Sequence, residues 1–472
     1  MTGNSMEHGA ANADAGSTVS LFDETRSLYA QGHIARGLPA DRIEAVEREV
    51  RASAWREGLT VTREGREVLY PMLTSVRTLT SAFEQHLARH LPDIVTAWNK
   101  ILSAYRGNQE IRRFLAVPAS LRGWVDATPP ETRRVDFCRF DMVGGSIGTA
   151  RIVEFNANCP GGVLFTGAFR RIWASFPEIK ELFGQWGIAH DTLHEREWFA
   201  KLLFSSTGAA GGDTVALFHQ AGGNTLEVRK MRTILEAEGC RVIVTHPGAD
   251  DWQYADARSA YLKYGVQAAL ADMSGWKPFL ERAVSGDLAI VNPLAGRWIG
   301  DNKLCLAVMS DLRFRGLFSS AEIEAIDRLI PFSRKAGDGI GGHELLEDRR
   351  AWIIKGPYDT QGRSVYVGAE THEALWPETV ARALRNGWLV QEAVEPCRVH
   401  WDGKPAYQDL SVVWLRGSFG CYTSRISENF KVNVAQGGGR QMVFGNTGIS
   451  WTAASTRTAV TPAPVWLAGG QP

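Results

Sequence analysis

The sequence lacks the features of a disulfide-stabilised, membrane-spanning or nucleic-acid-binding protein. Only six cysteines occur in 472 residues, with no CxxC pair, so neither a disulfide framework nor a zinc site is expected. No apolar run approaches the roughly 18 residues of a membrane span. Basic and acidic residues balance at 52 each, which argues against general binding to nucleic acids or membrane surfaces. We therefore expect a cytoplasmic protein with neither a nucleic acid nor a membrane as partner.

The length of the chain predicts two or three closely associated domains, because one core rarely serves so many residues. The first twenty residues are small and polar, without a basic segment followed by an apolar one, and predict a disordered tail. Residues after about 440 are expected to be loosely structured. The predicted regions are a tail over 1–20, a helical region over 21–134, a hairpin with helices over 135–205, a βαβ domain over 206–300, a part over 301–450 that becomes strand-rich from about 350, and a tail over 451–472.

The most informative segment is DFCRFDMVGGSIGTARIVEFNANCPGG, which alternates polar and apolar residues on both sides of a glycine-rich turn. Residues two apart share one face of a strand, and opposite residues in an antiparallel pair have a constant index sum. One register therefore pairs Arg139 with Asn156 and Asp141 with Glu154, and places all four side chains on the same face. A hard cation prefers such an oxygen cluster, and a phosphate prefers the arginine beside it. The alternative from the pattern alone is a surface ladder of salt bridges.

The opposite face of this hairpin is apolar and would anchor it to a core. The same register pairs Phe140 with Phe155 and Met142 with Val153. It implies a two-residue turn at Ile147-Gly148, or a longer loop of the same parity.

A second candidate is Lys355, at the end of an apolar strand before the polar loop PYDTQGRS. A lysine there can bind phosphates while the loop covers them, although a structural lysine at a sheet edge fits equally well. The apolar strand that ends in Gln391-Glu392 could offer backbone groups to an adenine edge, but such strands are common. Arg425 could bind a phosphate or carboxylate bidentately, or be a solvated strand residue. Lys303, taken alone, is more often a surface lysine.

The segment DTVALFHQAGGNTLEVRKMRTILEAEGCRVIVTHP has the pattern of a strand, a glycine loop, a helix and a strand. The helix would be capped near Asn224 or Thr225. Its loop at 221–223 could receive an anion, but the GxGxxG pattern is absent, so a plain strand–helix turn is favoured. The next helix, in DNKLCLAVMSDL, is expected to have Asp301 or Asn302 as its cap.

Taken in order, these motifs resemble those of a known enzyme family. CRFD, VEFNANCPGG, DNK, WIIKGPYDTQGRSVYVG, WLVQE and GCYTSRIS are similar to motifs of the circularly permuted ATP-grasp ligases, especially the glutathionylspermidine synthetase-like ones. The resemblance spans about residues 135–440. It implies an α/β (α+β) fold that is ATP-grasp-like and circularly permuted, with a βαβ preATP-grasp-like domain and a helical N-terminal region. Two departures are a lid with fewer glycines and no Cys–His amidase-like segment, so no substrate identity is carried over.

The resemblance also implies roles for individual residues. Arg139 and Arg425 would be catalytic, and Asp141, Glu154 and Asn156 would hold Mg²⁺. The residues that would bind ATP are Lys303, Lys355, Gln361, Gly362, Gln391 and Glu392. The implied activity is an ATP- and Mg²⁺-dependent ligase that joins a small-molecule carboxylate and an amine through an acylphosphate, releasing ADP and phosphate. A kinase using the same site and a non-catalytic nucleotide-binding protein stay as alternatives, and a homodimer is the default assembly.

Overall fold

The computed structural model describes residues 39–63, 65–158, 160–186, 193, 196–219, 225–359, 362–401, 404–434, 437–445, 449 and 451. Several sequence predictions fall outside these residues: the tail over 1–20, the loop at 221–223 with Asn224, Gln361, and the tail from 452 onward. The fold is mixed α/β, as predicted. None of the helices within the described ranges combines the length and hydrophobicity that a membrane span needs.

The helices are α1 (Ala40–Arg56), α2 (Ser81–Ala104), α3 (Gln109–Leu115), α4 (Ala119–Ala127), α5 (Val163–Ser175), α6 (Pro177–Trp186), α7 (Trp198–Thr207), α8 (Thr225–Ala237), α9 (Val266–Ala271), α10 (Lys277–Ser285), α11 (Leu294–Gly300), α12 (Leu304–Ser310), α13 (Ser320–Leu329), α14 (Gly342–Glu347) and α15 (Trp376–Asn386). The strands are β1 (Thr60–Arg63), β2 (Arg66–Leu69), β3 (Met72–Thr78), β4 (Phe137–Val143), β5 (Arg151–Asn156), β6 (Thr214–His219), β7 (Arg241–Thr245), β8 (Ser259–Lys263), β9 (Ala289–Ile290), β10 (Ser333–Ala336), β11 (Gly339–Ile340), β12 (Trp352–Lys355), β13 (Val365–Val367), β14 (Leu389–Glu392), β15 (Cys397–Trp401), β16 (Lys404–Gln408), β17 (Leu410–Leu415), β18 (Ser418–Ser427) and β19 (Gly439–Phe444).

The largest sheet of the described chain has eight strands and contains the predicted hairpin. Its main path runs β15-β16-β18-β17-β4-β5, and β19 pairs with β18 and with β3. Two sequence predictions are wrong in this part of the fold. The region over 21–134 is not helical throughout, since residues 60–78 supply three strands. Residues 439–444 are not loose, because they form β19, which is buried along its whole length between two neighbours, where a strand shows no polar alternation.

The predicted βαβ unit is present and belongs to a four-stranded parallel sheet in the order β7-β6-β8-β9. Strand β6 pairs in parallel with both β7 and β8, and α8 begins at Thr225. Asn302 rather than Asp301 accepts the amide of Leu304 at the start of α12, at 3.0 Å. Asp301 instead accepts the amides of Ala157 and Asn158, at 2.9 and 3.1 Å, directly after β5.

A five-stranded sheet in the order β11-β10-β14-β12-β13 carries the predicted nucleotide-binding strands. Strand β12 ends at Lys355, and β14 lies beside it at the centre of the sheet. The apolar face packs against α15, where Trp376 is fully buried. This face fixes β12 and β14, so that the polar ends of both strands keep constant positions.

The hairpin of β4 and β5 has the predicted register in the half that contains Arg139 and Asp141. Arg139 pairs with Asn156, Phe140 with Phe155 and Asp141 with Glu154. Beyond Asp141 the register shifts, so that Met142 lies opposite Ile152 instead of Val153. The turn is a seven-residue connection over 144–150 rather than Ile147-Gly148. The extra length closes through a bond between the Ser146 and Thr149 hydroxyl groups, at 2.9 Å, and shifts the parity by one residue.

Aromatic packing holds the other face of the hairpin, as predicted. The rings of Phe140 and Phe155 lie 5.3 Å apart, and Trp98 of α2 contacts them at 5.7 and 4.6 Å. All three side chains are buried in the largest core. Because this face cannot turn outward without exposing three aromatic rings, the polar face is held in one orientation.

A single asparagine joins the two strands of the hairpin to the parallel sheet. Asn292 follows β9, is 1% exposed and has a φ of +54°. Its Oδ1 accepts the amides of Asp136 and Phe137, at 2.7 and 2.8 Å. Its Nδ2 donates to the carbonyls of Phe137, at 2.6 Å, and Ala157. The side chain therefore fixes the start of β4 and the exit of β5.

We predict that Asn292→Ala lowers the free energy of unfolding by about 2–4 kcal/mol, because buried backbone groups lose their partners and alanine disfavours a positive φ. Asn292→Gly loses the same hydrogen bonds but tolerates the backbone conformation, so it should be less destabilised than the alanine variant. Urea unfolding followed by tryptophan fluorescence measures both. Wild-type stability in either variant would contradict this role of Asn292.

Candidate active site

The polar face of the hairpin lines a cavity of about 1090 Å³ where the three larger sheets meet. The predicted site residues on its wall are Arg139, Asp141, Glu154, Asn156, Lys355, Gly362 and Arg425. Lys303 reaches the same site through an ion pair with Glu154, between Nζ and Oε1 at 3.0 Å. Gln391 and Glu392 do not line this cavity. The structure thus brings together residues that lie as much as 286 positions apart in the sequence.

The centre of the site is the Asp141 carboxylate, which two arginines share. Arg139 donates from Nε to Oδ1 at 2.7 Å and from Nη2 to Oδ2 at 3.0 Å. Arg425 donates from Nη2 to Oδ2 at 3.0 Å, and the Ser411 hydroxyl donates to Oδ1 at 2.9 Å. Both carboxylate oxygens therefore have protein partners, and the three charged side chains are held as one unit.

The electrostatics follow from burial and these pairings. Burial would raise the pKa of the Asp141 carboxyl, but the guanidinium groups of Arg139 and Arg425 outweigh it and hold that pKa well below its usual range. Burial would lower the pKa of Arg425, and the carboxylates of Asp141 and Asp409 outweigh it, so that pKa is raised. Burial raises the pKa of Asp409 despite its contact with Arg425. Each buried charge of this unit thus depends on its neighbours.

Asp409 is a site residue that sequence reasoning missed. Its Oδ1 accepts the Arg425 amide and its Oδ2 accepts Nε of the same residue, both at 2.6 Å. Asp409 and Ser411 reach the site because β17 lies between β4 and β18 and pairs Ser411 with Asp141. The only local signal is that two polar residues, Asp409 and Ser411, stand on either side of Leu410, where the apolar segment LSVVWL begins.

The two lysines of the site differ in their electrostatic environment. Lys303 is 4% exposed, pairs with Glu154 and donates from Nζ to the Asp359 carbonyl at 2.7 Å. Burial would lower the pKa of Lys303, but Glu154 and Asp301 outweigh it and the pKa is raised. Burial lowers the pKa of Lys355 to about 8; Lys303 also lowers it, while Glu154 and Asp141 oppose the shift. A large fraction of Lys355 is therefore neutral at mildly alkaline pH.

The side chains of Gln391 and Glu392, which were expected to lie at an adenine edge, differ in burial and in their protein contacts. Gln391 is fully buried, and its Oε1 accepts Nζ of Lys355 at 2.7 Å while its Nε2 donates to the Ser333 hydroxyl at 3.1 Å. Glu392 is exposed, and its amide donates to the Phe332 carbonyl at 2.8 Å. Gln391 thus positions Lys355, whose Nζ also donates to the Val153 carbonyl at 2.8 Å.

The loop after β12 contributes Gly362 to the cavity wall, and Gln361 lies outside the described residues. Gly362 has a φ of +72°, a conformation that side chains with a Cβ adopt poorly. The Ser364 hydroxyl donates to the Asp359 carboxylate across this loop. Asp359 thus links this hydroxyl to the site, because its carbonyl also accepts Nζ of Lys303.

The oxygen donors of Asp141, Glu154 and Asn156 fit a magnesium ion by type, since carboxylate and amide oxygens are its usual protein ligands. Asn156 donates from Nδ2 to the Arg139 carbonyl at 3.3 Å, which leaves its amide oxygen as an acceptor. Within the described ranges, no group of three or more His, Cys, Asp or Glu residues is arranged to hold a metal. Both carboxylate oxygens of Asp141 already accept hydrogen bonds from arginine. Asp141 would therefore have to give up one of these contacts in order to bind the ion.

Comparisons with known proteins support the fold. No protein-family profile matches the sequence. An uncharacterized protein of Mycobacterium leprae (strain TN) is 28% identical over 173 residues, which cover 34% of this chain and 31% of that protein. A solved glutathione synthetase-like effector of Globodera pallida, in its apo form, aligns over 86% of this chain and 98% of its own, with a TM-score of 0.54 and 13% identity. The chain therefore shares the fold of a glutathione synthetase-like protein, consistent with the ATP-grasp-like fold expected from its motifs.

We predict that Asp141→Asn lowers the free energy of unfolding by about 3–5 kcal/mol, because it removes the anion between two buried guanidinium groups. Glu154→Gln should cost only about 1 kcal/mol, since this side chain is 29% exposed and glutamine can still accept from Lys303. Urea unfolding of the two single variants measures the difference. Equal losses would show that Asp141 does not hold the two arginines together.

Proposed function

We propose that the cavity binds ATP and that the protein is an ATP-dependent ligase that joins a carboxylate to an amine. The observation that carries the proposal is the arrangement of four cations, Arg139, Arg425, Lys303 and Lys355, around the buried Asp141 and the partly exposed Glu154. Such a site favours an anionic ligand, and the fold shared with a glutathione synthetase-like protein supports the same reaction class.

The chemistry of amide formation explains why these charges would be needed. A carboxylate is a poor acyl donor because its leaving group would be an oxide. Transfer of the ATP γ-phosphoryl group to a carboxylate oxygen gives an acylphosphate, whose leaving group is phosphate, and releases ADP. Both reactants are anions, so Lys303 and Lys355 would hold the phosphates while Arg139 and Arg425 receive the carboxylate. Charge neutralisation by these side chains lowers the barrier to in-line transfer.

Magnesium, when bound, would be held by Asp141, Glu154 and Asn156 and would supply further positive charge beside the phosphates. The residues of the chain would carry out the second step. A neutral amine attacks the acylphosphate carbonyl carbon, and Arg139 stabilises the oxyanion that forms. The C–O bond to phosphate then breaks, and the nitrogen releases its proton to the departing phosphate as the amide forms. The loop over 359–364 would exclude water, which otherwise hydrolyses the acylphosphate.

The proposal predicts that ADP and phosphate form from ATP and magnesium only when a carboxylate and an amine are both present. The assay measures phosphate release with pooled carboxylates, pooled amines and both pools together. A phosphorylated product without any need for an amine would identify a kinase instead. Failure to bind ATP in calorimetry would contradict the proposal and leave the fold without this function.

Two arginine variants, one in the site and a control at the surface, are compared in this assay. Arg139→Ala should lower turnover by about 10²–10³-fold, as expected for loss of one preorganised donor to the oxyanion. Arg398 has a side chain that is 75% exposed and lies in a surface ion pair with Glu395, so Arg398→Ala should leave turnover unchanged.

We also predict that the efficiency kcat/KM for ATP falls as the pH rises above about 8, because Lys355 loses its proton and a phosphate contact loses its charge. Lys355→Arg keeps the charge, since arginine stays protonated, and should remove this alkaline decline even if its maximal rate is lower. The matched variant Lys303→Arg should keep the decline. An unchanged alkaline decline in Lys355→Arg would assign the titration to another group.

A further inference from the structure

One buried arginine of the cavity has no carboxylate partner among the described residues. Arg440 is 4% exposed, and its Nε donates to the Tyr70 hydroxyl at 3.2 Å. Its Nη1 donates to the hydroxyls of Thr423 and Thr166, at 3.0 and 3.3 Å. These hydroxyls orient the guanidinium but carry no charge. A buried cation without an anion is costly, so its position at a cavity wall points to an anionic ligand.

The remaining nitrogen of Arg440 is left accessible by a glycine. Nη2 donates no hydrogen bond to the part of the chain that the structure describes. Gly162 has a φ of +76°, and a Cβ built on it would lie 2.8 Å from Nη2 and 3.0 Å from the Tyr70 hydroxyl. Any larger residue would cover this nitrogen. Gly162 and Tyr70 both line the cavity, so the open position belongs to it.

Arg440 lies directly beside the cluster at Asp141. It pairs with Arg425 across β18 and β19, so the two side chains share a face, with Cβ atoms about 5 Å apart. Arg425 is neutralised by Asp141 and Asp409. Arg139 donates from Nη1 to the Gly161 carbonyl at 3.1 Å, one residue before the glycine beside Arg440. The same short segment therefore separates the proposed reacting centre from the unpaired guanidinium.

We infer that Arg440 binds a second carboxylate of the acid substrate, an inference that rests on the proposed ligase function. The acid would then be a small dicarboxylate or amino dicarboxylate, with one carboxylate activated beside Arg139 and the other held by Arg440. A guanidinium suits this task because its donors match the two oxygens of a carboxylate. Arg440 thereby selects acids that have two carboxylates over acids with one.

The test compares diacids with their monoamides in the complete protein. Succinate, glutarate, aspartate and glutamate are each assayed against their monoamides, with ATP, magnesium and hydroxylamine, which converts an acylphosphate into a hydroxamate. The wild type should use at least one diacid about 10- to 100-fold more efficiently than any monoamide of the same acid, because amidation removes a charge-assisted contact. This comparison needs no variant, so it stays valid if a substitution impairs folding.

The variants then assign the preference to Arg440. Arg440→Gln should lose most of the preference for the diacid while keeping the KM for ATP, and Arg440→Lys should recover part of it. Tyr70→Phe is the matched control, because it removes one hydrogen bond to the guanidinium but leaves its charge. It should keep most of the preference.

Three results would overturn the inference. If the wild type forms hydroxamate from diacids and monoamides equally well, a second carboxylate is not recognised. The ligase function would then still hold. A rise in the KM for ATP in Arg440→Gln, with the diacid preference intact, would assign Arg440 to the nucleotide. Absence of hydroxamate with the four diacids, when a pooled carboxylate gives one, would overturn the inference alone, whereas absence with the pooled carboxylates as well would contradict the ligase function itself.

Discussion

The carboxylate of Asp141, shared between Arg139 and Arg425, is the interaction on which the site depends. It exists only if β4, β17 and β18 lie side by side in one register, because each strand contributes one part of it. Asp409, the residue before β17, then fixes Arg425. Each of these buried charges is stable only beside the others. The electrostatics of the cavity therefore depend on the strand order of the large sheet.

The cations of the cavity form two groups, which differ in whether their partners are carboxylates or uncharged groups. Arg139, Arg425 and Lys303 form ion pairs with carboxylates of the chain, which hold the strands together and also set the charge of the cavity. Lys355 and Arg440 instead make their closest contacts with carbonyl, amide or hydroxyl groups. Lys355 and Arg440 lie on opposite sides of the cluster at Asp141. Anionic groups of a ligand would neutralise both side chains, and two anionic substrates would need cations in such an arrangement.

The sequence predicted the part of the site that depends on local geometry. Three residue pairs of the hairpin are in the expected register, because alternation along two adjacent strands and an apolar opposite face leave one solution. The prediction failed beyond Asp141, where a seven-residue connection shifts the parity. A bulge depends on how that loop closes, and the alternation of the strands carries no trace of it.

Contacts between distant segments could not be predicted in the same way. Strands β3 and β19 are mostly buried and pair with each other in parallel, and the pattern of either one alone gives no partner. Asp409 enters the site only through the position of β17, and Gln391 supports Lys355 because β12 and β14 are neighbours. In the sequence Arg440 is one more arginine after three glycines, and only the fold places it against Gly162.

The most direct test of the proposed reaction follows oxygen from the acid substrate. A carboxylate labelled with ¹⁸O is supplied with ATP, magnesium and an amine, and the released phosphate is analysed by mass spectrometry. If the carboxylate attacks the γ-phosphoryl group, one labelled oxygen should appear in the phosphate for each amide formed. Unlabelled phosphate formed together with the amide, or label found in AMP, would contradict an acylphosphate and the proposed role of the cluster at Asp141.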